Sequence, residues 1–314
     1  MAAEKEPREV AIMVAADDAF AMPMAVTLYS ALILLPHNVS VNIFVADNGL
    51  SDESRSRTAR VVQAAHPKVK LHWRKLDMSA FADITTARLT AATFSRIYID
   101  DLVPPEVERV LYLDCDLILR DDISKLWDLD MSGILLMAAP DGEIGNFDKL
   151  IRSRFPEVSA PPNAPYFNAG VLMINMVEWR KRNIMKHTLD FIARHGSNLF
   201  HEDQCALNAT SVGLWKPLDE YWNTQVYYYR DRPIRPFGIL HYTICKPWRR
   251  HHETPMAHLF FDAYRRSGWD SRPRADLWAA YMLSNQAYRR WRKFKYKPWK
   301  RAIKKRLDLR RKQT

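Results

Sequence analysis

The chain has few cysteines and no long, purely apolar segment. Its three cysteines, Cys115, Cys205 and Cys245, lack the spacing of a disulfide framework, and we expect reduced thiols in a cytoplasmic protein. The first ten residues contain no apolar run of the kind found in a signal peptide. The longest uncharged stretch, residues 19–36, includes a proline, a threonine and a serine. It directly follows two aspartates, and these features favour a buried helix over a membrane span.

Acidic residues are nearly absent from the C-terminal end of the chain. Residues 286–314 contain fourteen Lys/Arg and one Asp, which contributes +13 to a formal net charge of +11 and leaves −2 for the rest. Aromatic residues alternate with the cations in this tail, a pattern typical of segments that bind an anionic membrane surface. We expect peripheral association with the inner face of the membrane and no nucleic acid partner. Nucleic acid binding and a merely solvated tail would give the same charge pattern.

Apolar runs and helical segments alternate over the first 140 residues. The patterns predict strands at residues 10–15, 41–46, 69–74, 109–114 and 133–139, and helices at 23–35, 51–66 and 87–101. Strands separated by helices imply right-handed crossovers and parallel pairing, hence a doubly wound, Rossmann-like α/β sheet. Further along, the sequence predicts a proline-rich loop at 156–165, a buried strand at 167–175, and helices at 177–195 and 255–284.

Aspartates follow the predicted strands. Asp114 and Asp116 close the fourth strand, where residues i and i+2 point to the same side. Two carboxylates at such a point suit Mg²⁺ or Mn²⁺, often together with phosphates, although strand-end carboxylates without a metal are common. Ligands of doubly wound sheets bind beyond the carboxyl ends of the strands. We therefore expect these aspartates on one rim: Asp17, Asp47, Asp77, Asp114, Asp116 and Asp141.

Two early segments offer polar groups to a ligand. Asp17 follows Ala15 and Ala16 at the end of the first strand, where it could hold a nucleotide base or ribose. Capping of the next helix by Asp17 or Asp18 is an equally good reading. Asn168 precedes a predicted buried strand, and because a buried amide needs partners, it could bind a sugar hydroxyl or a neighbouring turn.

Two later segments add acids, a histidine and a lysine. Asp203 and Gln204 lie in the sequence His-Glu-Asp-Gln before an apolar helix, which also reads as an ordinary acidic helix start. His241 ends a short apolar run, and Lys246 follows it. The histidine is a candidate third metal ligand and the lysine a candidate phosphate contact, but a lone histidine near a strand is more often structural.

Taken together, these segments resemble glycosyltransferase family 8, a family of retaining enzymes that includes bacterial lipopolysaccharide α-galactosyl- and α-glucosyltransferases and glycogenin. The resemblance spans about residues 10–250 and rests on motifs at 96–98, 110–116, 126–130, 167–175, 202–204 and 241–248, in the order of the family. It implies a GT-A fold and transfer of a hexose, galactose or glucose, from a UDP-hexose. It also implies a glycan acceptor, such as lipopolysaccharide or another lipid-linked saccharide.

The resemblance assigns roles to individual residues. The implied metal ligands are Asp114, Asp116 and His241, a mixed set that suits Mn²⁺ better than Mg²⁺. The implied donor contacts are Ala15 and Asp17 to uracil or ribose, Lys246 to the phosphates, and Arg96, Asp141, Asn168, Asp203 and Gln204 to the hexose. Asp203 and Gln204 are the expected catalytic residues.

The chain departs from the family pattern in two places. Cys205 stands where the family commonly has an aspartate, which argues against a carboxylate nucleophile there and favours same-face attack guided by the departing phosphate. The interval from His241 to Lys246 is one residue shorter than usual, and Ile244 stands where the family often has glycine.

The predicted organisation is a catalytic domain at residues 1–250 and a helical C-terminal extension at 251–314 that ends in the basic tail. Two other functions fit parts of the sequence. A haloacid-dehalogenase-type phosphatase also places Asp-x-Asp after an apolar strand, but normally near the start of its domain. A non-catalytic, basic-tailed binding protein would explain the tail and leave the polar motifs without a role.

Overall fold

The computed structural model describes residues 8–76, 94–142, 144, 147, 151–229, 234–249 and 254–271. These residues form ten strands and seven α-helices. The strands are β1 (Glu9–Ala16), β2 (Ser40–Asp47), β3 (Val69–Lys75), β4 (Arg109–Leu113), β5 (Leu117–Leu119), β6 (Leu136–Pro140), β7 (Phe167–Asn175), β8 (Trp215–Pro217), β9 (Thr224–Gln225) and β10 (Ile239–His241). The helices are α1 (Ala21–Leu32), α2 (Asp52–Ala65), α3 (Ile99–Leu102), α4 (Met176–Lys181), α5 (Ile184–His195), α6 (Glu202–Thr210) and α7 (Ala257–Ser267).

Seven strands form the main sheet in the order β3-β2-β1-β4-β7-β6-β8. The predicted parallel pairing is confirmed for the first four strands, since β1 runs parallel to both β2 and β4, and β2 to β3. Strand β7, for which the sequence predicted burial but no direction, runs antiparallel to both of its neighbours, β4 and β6. A strand buried on both faces has the same apolar pattern in either direction, so the sequence did not reveal this reversal.

The main sheet is buried on both faces. Along β1, Ile12 and Val14 pack into the apolar cluster that includes α1, whereas Met13 and Ala15 pack into a second cluster on the opposite face. Successive side chains of a strand point to opposite faces, so a sheet covered on both sides requires a continuous apolar run. The sheet therefore presents its ends, and not its faces, to a ligand.

A predicted helix is interrupted between α4 and α5. The sequence pattern predicted one helix at residues 177–195, but Asn183 adopts the left-handed conformation with φ of 51° and separates the two. Asparagine tolerates this conformation better than most residues. Asn175 begins α4 by accepting hydrogen bonds from the backbone of Val177 at 3.1 Å and Glu178 at 3.2 Å.

Two other predicted boundaries shift because of backbone geometry. The strand predicted from residue 133 begins at Leu136, because Gly133 adopts φ of 67° in a turn. Of the helix predicted at 87–101, residues 87–93 lie outside the described part, and α3 is the short helix that follows. It ends at Leu102, just ahead of Pro104, where the residue before a proline disfavours helical backbone.

A second sheet of three strands, in the order β5-β10-β9, adjoins the main one. Strand β10 runs antiparallel to β5, with His241 opposite Leu117. Because Leu117 follows Asp116 directly, this register brings the histidine beside the aspartate pair. The small sheet thus positions a side chain that lies far away in sequence.

Helix α7, in the predicted C-terminal extension, packs against the segment that follows β10. Phe260 of α7 lies 4.9 Å from the Trp248 ring, and the Tyr242 hydroxyl donates to the backbone oxygen of Met256 at 2.9 Å. Helix α7 ends at Gly268, which adopts φ of 67°. The remainder of the helix predicted at 255–284 and the basic tail at 286–314 lie outside the described residues, and the boundary at residue 250 stays a prediction. Among the described helices, none has the length and apolar character needed to cross a membrane.

Candidate active site

The predicted aspartate pair lies between the two sheets. Asp114 follows β4, and its backbone N–H donates to the backbone oxygen of Gly170 at 2.9 Å. Asp116 precedes β5, and its backbone oxygen accepts a hydrogen bond from Tyr242 at 3.0 Å. Backbone hydrogen bonds thus hold Asp114 against β7 and Asp116 against the segment that follows β10.

Asp114, Asp116 and His241 converge as the sequence predicted. They offer three ligand atoms that all lie within 4.8 Å of one another. The Nε2 atom of His241 lies 3.2 Å from Asp116 Oδ1 and 3.7 Å from Asp114 Oδ2. Two carboxylates and an imidazole form a donor set that fits a divalent cation. The three residues could therefore hold a divalent metal ion.

Lys246 pairs with Asp116 in this structure. Burial alone would raise the pKa of Asp116, but the charge of Lys246 and the neighbouring His241 outweigh it and hold this pKa below its ordinary value. The lysine Nζ also donates to the backbone oxygens of Tyr242 at 2.8 Å and Thr243 at 2.6 Å. Asp116 is therefore ionised at neutral pH, and the ammonium lies at the candidate metal site.

Two side chains fix the carboxylate of Asp114. The Tyr112 hydroxyl donates to its Oδ1 at 2.8 Å, and Arg96 Nη2 lies 3.0 Å from the same oxygen. The Arg96 guanidinium also lies 4.8 Å from the centre of the Tyr112 ring. These contacts leave Oδ2, the oxygen nearer to His241, facing the candidate metal position.

Arg96 joins the aspartate pair to helix α6. Its Nε lies 2.7 Å from Asp203 Oδ2, and its Nη1 donates to the backbone oxygen of Ala169 at 2.7 Å. Burial raises the pKa of Asp203 to about 6, the positive charge of Arg96 opposes this rise, and the negative charge of Asp114 adds to it. Asp203 is thus a buried, paired carboxylate that titrates close to neutrality.

Gln204 lies among buried polar groups next to the same edge of the sheet. Its Oε1 accepts from the backbone of Ala169 at 3.0 Å, and its Nε2 donates to Asp141 Oδ2 at 3.3 Å and to the Tyr166 hydroxyl at 3.4 Å. The same Asp141 oxygen accepts from Asn168 Nδ2 at 3.1 Å. The structure therefore brings together the predicted residues Asp141, Asn168 and Gln204.

Ala15 and Asp17 lie at the end of β1, beside β4. The Asp17 carboxylate accepts from the backbone of Phe20 at 3.0 Å and caps a short 3-10 helix, so the capping alternative is the one observed. The backbone oxygen of Ala15 accepts from the thiol of Cys115 at 3.1 Å. Both residues adjoin the edge where the aspartate pair lies.

Of the other strand-end aspartates, Asp47 has a structural role. Its carboxylate accepts from the backbone of Gly49 at 3.0 Å and of Leu50 at 2.8 Å, and it pairs with Arg55. Asp77 lies outside the described residues.

The departure at Cys205 places a buried thiol near Gln204. Its Sγ lies 3.2 Å from the Tyr166 hydroxyl and accepts from the backbone of His201 at 3.3 Å. Burial raises the pKa of this thiol, so it stays neutral. Ile244, the other departure, is exposed. A charged nucleophile is therefore missing at position 205.

A sequence profile described as glycosyl transferase family 8 matches residues 11–252. The chain belongs to glycosyltransferase family 8. This membership selects the transferase over the phosphatase and the non-catalytic binding protein, and it confirms the resemblance found in the sequence.

Similar proteins span much of this family 8 glycosyltransferase. General stress protein A of Bacillus subtilis is 28% identical over 282 residues, which cover 83% of this chain and 94% of that protein. The lipopolysaccharide 1,3-galactosyltransferase of Salmonella typhimurium is 30% identical over 197 residues, covering 59% of this chain and 57% of that protein. Glycosyltransferase GlyF of Streptococcus pneumoniae is 24% identical, and the match covers 62% of its length.

A solved structure supports the predicted fold class. Galactosyltransferase LgtC, in complex with donor and acceptor sugar analogs, matches with a TM-score of 0.71 at 23% sequence identity, covering 86% of this chain and all of LgtC. The family 8 chain therefore has the GT-A fold, an α/β fold with a nucleotide-binding sheet, as predicted.

Two residues of this glycosyltransferase site were missed or undervalued by sequence reasoning. Asn223 is fully buried and lies between Asn168 and His241, but it stands in a loop of mixed composition without a recognisable pattern. Gly170 lies within the matched motif. The sequence around it gives no sign that two candidate metal ligands, Asp114 and His241, lie directly against it.

We predict that Gly170→Ala lowers the affinity for Mn²⁺ by about tenfold or more, because displaced ligands lose their geometry. A Cβ at this position would lie 2.8 Å from Asp114 Oδ2 and collide with the His241 ring. Isothermal titration with MnCl₂ measures the loss. Gly213→Ala, whose added Cβ meets open space, should cost stability through its φ of 76° and leave Mn²⁺ affinity unchanged. Wild-type affinity in Gly170→Ala would contradict the assigned ligands.

Proposed function

We propose that this glycosyltransferase moves a hexose, galactose or glucose, from a UDP-sugar to a glycan acceptor and retains the anomeric configuration. The convergence of Asp114, Asp116 and His241 beside a buried polar cluster carries the proposal. A divalent cation at such a site, Mn²⁺ in this proposal with Mg²⁺ as the alternative, stabilises the negative charge that develops on a departing diphosphate.

The positions of the polar groups suggest how the donor would lie. The uridine would bind at the end of β1, by Ala15 and Asp17, and the diphosphate would face the metal ligands and Lys246. The hexose would then reach the buried polar groups along β7 and α6, namely Arg96, Asp141, Asn168, Asp203 and Gln204. This arrangement follows the edge of the sheet, where doubly wound folds bind their ligands.

The carboxylates beside the proposed hexose position already have partners within the protein, which supports attack on the same face as the departing UDP. Asp203 pairs with Arg96, and Asp141 accepts hydrogen bonds from Asn168 and Gln204. Cys205 is a neutral thiol at the position where the family pattern commonly has an aspartate. A double displacement needs a free nucleophile, so we propose that the departing phosphate guides the acceptor hydroxyl, with Gln204 close to the anomeric carbon.

The acceptor is proposed to be a saccharide carried by a lipid, such as lipopolysaccharide. The name of the Salmonella typhimurium relative supports this substrate class, and that relative is matched over 57% of its length. We propose that the loops around residues 141–165 and 222–236, which are rich in aromatic residues and arginine, shape the acceptor site, since loops carry specificity on a rigid scaffold.

The direct test is a screen of UDP-sugars with Mn²⁺, followed by linkage analysis of the glycan product. Slow hydrolysis of one UDP-hexose and formation of an α-linked product would support the proposal. An inverted linkage, or a donor with a different nucleotide, would contradict it. A preference for phosphomonoesters would point to the phosphatase.

We also propose that the basic tail at residues 286–314 holds the enzyme on the inner face of the membrane. Each cation near an anionic surface contributes roughly 1 kcal/mol, so a dozen suffice for salt-sensitive binding. We predict that the full chain sediments with anionic vesicles, whereas a chain ending at Asn285 does not. Neutral vesicles and high salt serve as controls. Equal binding of both chains to anionic vesicles would rule the anchor out.

A further inference from the structure

A continuous series of buried hydrogen bonds leads from the sugar-binding side of the site to His241. Asn168 Oδ1 accepts from the backbone N–H of Gly170 at 3.0 Å, and Asn168 Nδ2 donates to Asp141 at 3.1 Å. Asn223 Nδ2 donates to the same Asn168 Oδ1 at 2.9 Å. Asn223 Oδ1 lies 2.8 Å from Nδ1 of His241. Both asparagines are buried, so these partners are the ones that satisfy them.

The backbone N–H of Gly170 determines the direction of every hydrogen bond in this series, because a backbone N–H can only donate. Gly170 therefore requires the oxygen of the Asn168 amide, which leaves the amide nitrogen to donate to Asp141. Because the Asn168 oxygen also faces Asn223, the Asn223 amide must present its nitrogen to Asn168 and its oxygen to His241.

This direction fixes the tautomer of the histidine. An amide oxygen accepts, so Nδ1 of His241 must carry a proton, and in the neutral ring Nε2 then carries the lone pair. That lone pair faces Asp116 Oδ1 at 3.2 Å and Asp114 Oδ2 at 3.7 Å. Three acceptors directed at one point repel one another unless a cation lies between them, so the hydrogen bonds prepare Nε2 for a metal ion.

We infer that Asn223 is a positioning residue that holds His241 in the orientation and tautomer required of a metal ligand and links it through Asn168 to the hexose-binding groups. The inference deepens the proposed function and rests on its metal site. A partner on the second ring nitrogen commonly sets the affinity of a histidine for its metal. Here the partner is the neutral amide of Asn223, which is oriented by Asn168. Asn168 in turn donates to Asp141, a proposed donor contact.

Two variants separate the two hydrogen bonds of Asn223. Asn223→Ala removes both, whereas Asn223→Asp keeps an acceptor for the His241 ring and loses the donor to Asn168. Without a nucleotide, Asn223→Ala should bind Mn²⁺ about 10–100-fold more weakly in isothermal titration, and Asn223→Asp should recover most of that loss. Asn223→Asp should still have a lower kcat, because the connection to Asn168 and Asp141 is broken.

Asn175→Ala is the matched control. The side chain of Asn175 likewise makes hydrogen bonds, three of them, to the backbones of Met131, Val177 and Glu178, but it lies at the opposite end of β7. The Asn175→Ala variant should lose stability and keep wild-type Mn²⁺ affinity. This comparison distinguishes a positioning role of Asn223 from a general effect of lost stability on Mn²⁺ binding.

A second measurement needs no variant. Long-range ¹H–¹⁵N spectra of the metal-free full chain at alkaline pH should show the proton of His241 on Nδ1. A proton on Nε2 would overturn the inference, and so would wild-type Mn²⁺ affinity in Asn223→Ala. In both cases the proposed transfer reaction would stand.

A full chain that binds no Mn²⁺ would overturn the metal assignment and this inference together. The expected effects of the variants on Mn²⁺ affinity, in a protein that transfers no hexose, would contradict only the proposed function.

Discussion

Replacing Asp116 by asparagine is expected to abolish metal-dependent transfer, with kcat falling by about a thousandfold or more, because a bound metal supplies several kcal/mol of charge stabilisation in the transition state. Asparagine preserves the shape of the side chain and removes its charge. Asp116 is buried, its pKa is held below the ordinary value, and it faces both His241 and Lys246. No other charged oxygen among the described residues lies in its place. Initial rates with UDP-sugar across a Mn²⁺ titration measure the effect.

Asp190→Asn is the matched control for this variant. It removes an exposed carboxylate that pairs with Lys186 at 2.6 Å on the surface of α5, and no hydrogen bond or ion pair joins it to the described site residues. Its turnover should be that of the wild type. Asp114→Ala and His241→Ala should behave like Asp116→Asn, with circular dichroism spectra of a folded protein. Full activity of any of the three in the presence of a chelator would contradict the metal site.

Gln204→Ala is expected to lower kcat by about a hundredfold, the magnitude found when one preorganised polar group at a reacting centre is removed. Gln204 reaches Ala169, Asp141 and Tyr166, and none of these groups lies on the side proposed for the uridine. The Gln204→Ala variant should therefore keep the Kd of UDP within about threefold of the wild type. The Kd depends on contacts to the nucleotide, whereas kcat depends on contacts made at the reacting sugar.

Gln63→Ala provides the comparison, since Gln63 is an exposed residue of α2. Both variants are compared by single-turnover rates and by UDP titration in the presence of Mn²⁺. Weaker UDP binding with an unchanged kcat in Gln204→Ala would place the hexose elsewhere in the site.

The first half of the fold was predictable because local patterns determine it. Apolar runs of strand length, separated by helical segments with a cap such as Ser51, specify β1 to β4 and the helices between them. The antiparallel direction of β7 was not predictable, because burial on both faces removes any directional signal. The break between α4 and α5 was not predicted, because Asn183 is polar and fits an exposed helical position as well as a turn.

The site was predictable only to the extent that its residues are close in sequence. The spacing of Asp114 and Asp116 indicated a shared direction, whereas His241 was one candidate third ligand until the family resemblance assigned it to the same metal. Their contact depends on the pairing of β5 with β10, a long-range register that no local pattern contains. Asn223 lies in the same small sheet region, and its role follows from the partners on either side of it, which the folded chain alone brings together.

The pairing of Lys246 with Asp116 has a consequence for the order in which ligands bind. Two carboxylates and one ammonium together carry a single net negative charge at the candidate metal site. A divalent ion that joined them would make that sum positive and would lie against the ammonium. An incoming diphosphate removes this conflict, because it offers the lysine a new anionic partner. Metal and nucleotide should therefore each raise the affinity for the other by the same factor, as thermodynamic reciprocity requires. We therefore expect the lysine that pairs with Asp116 to make binding of the two ligands cooperative.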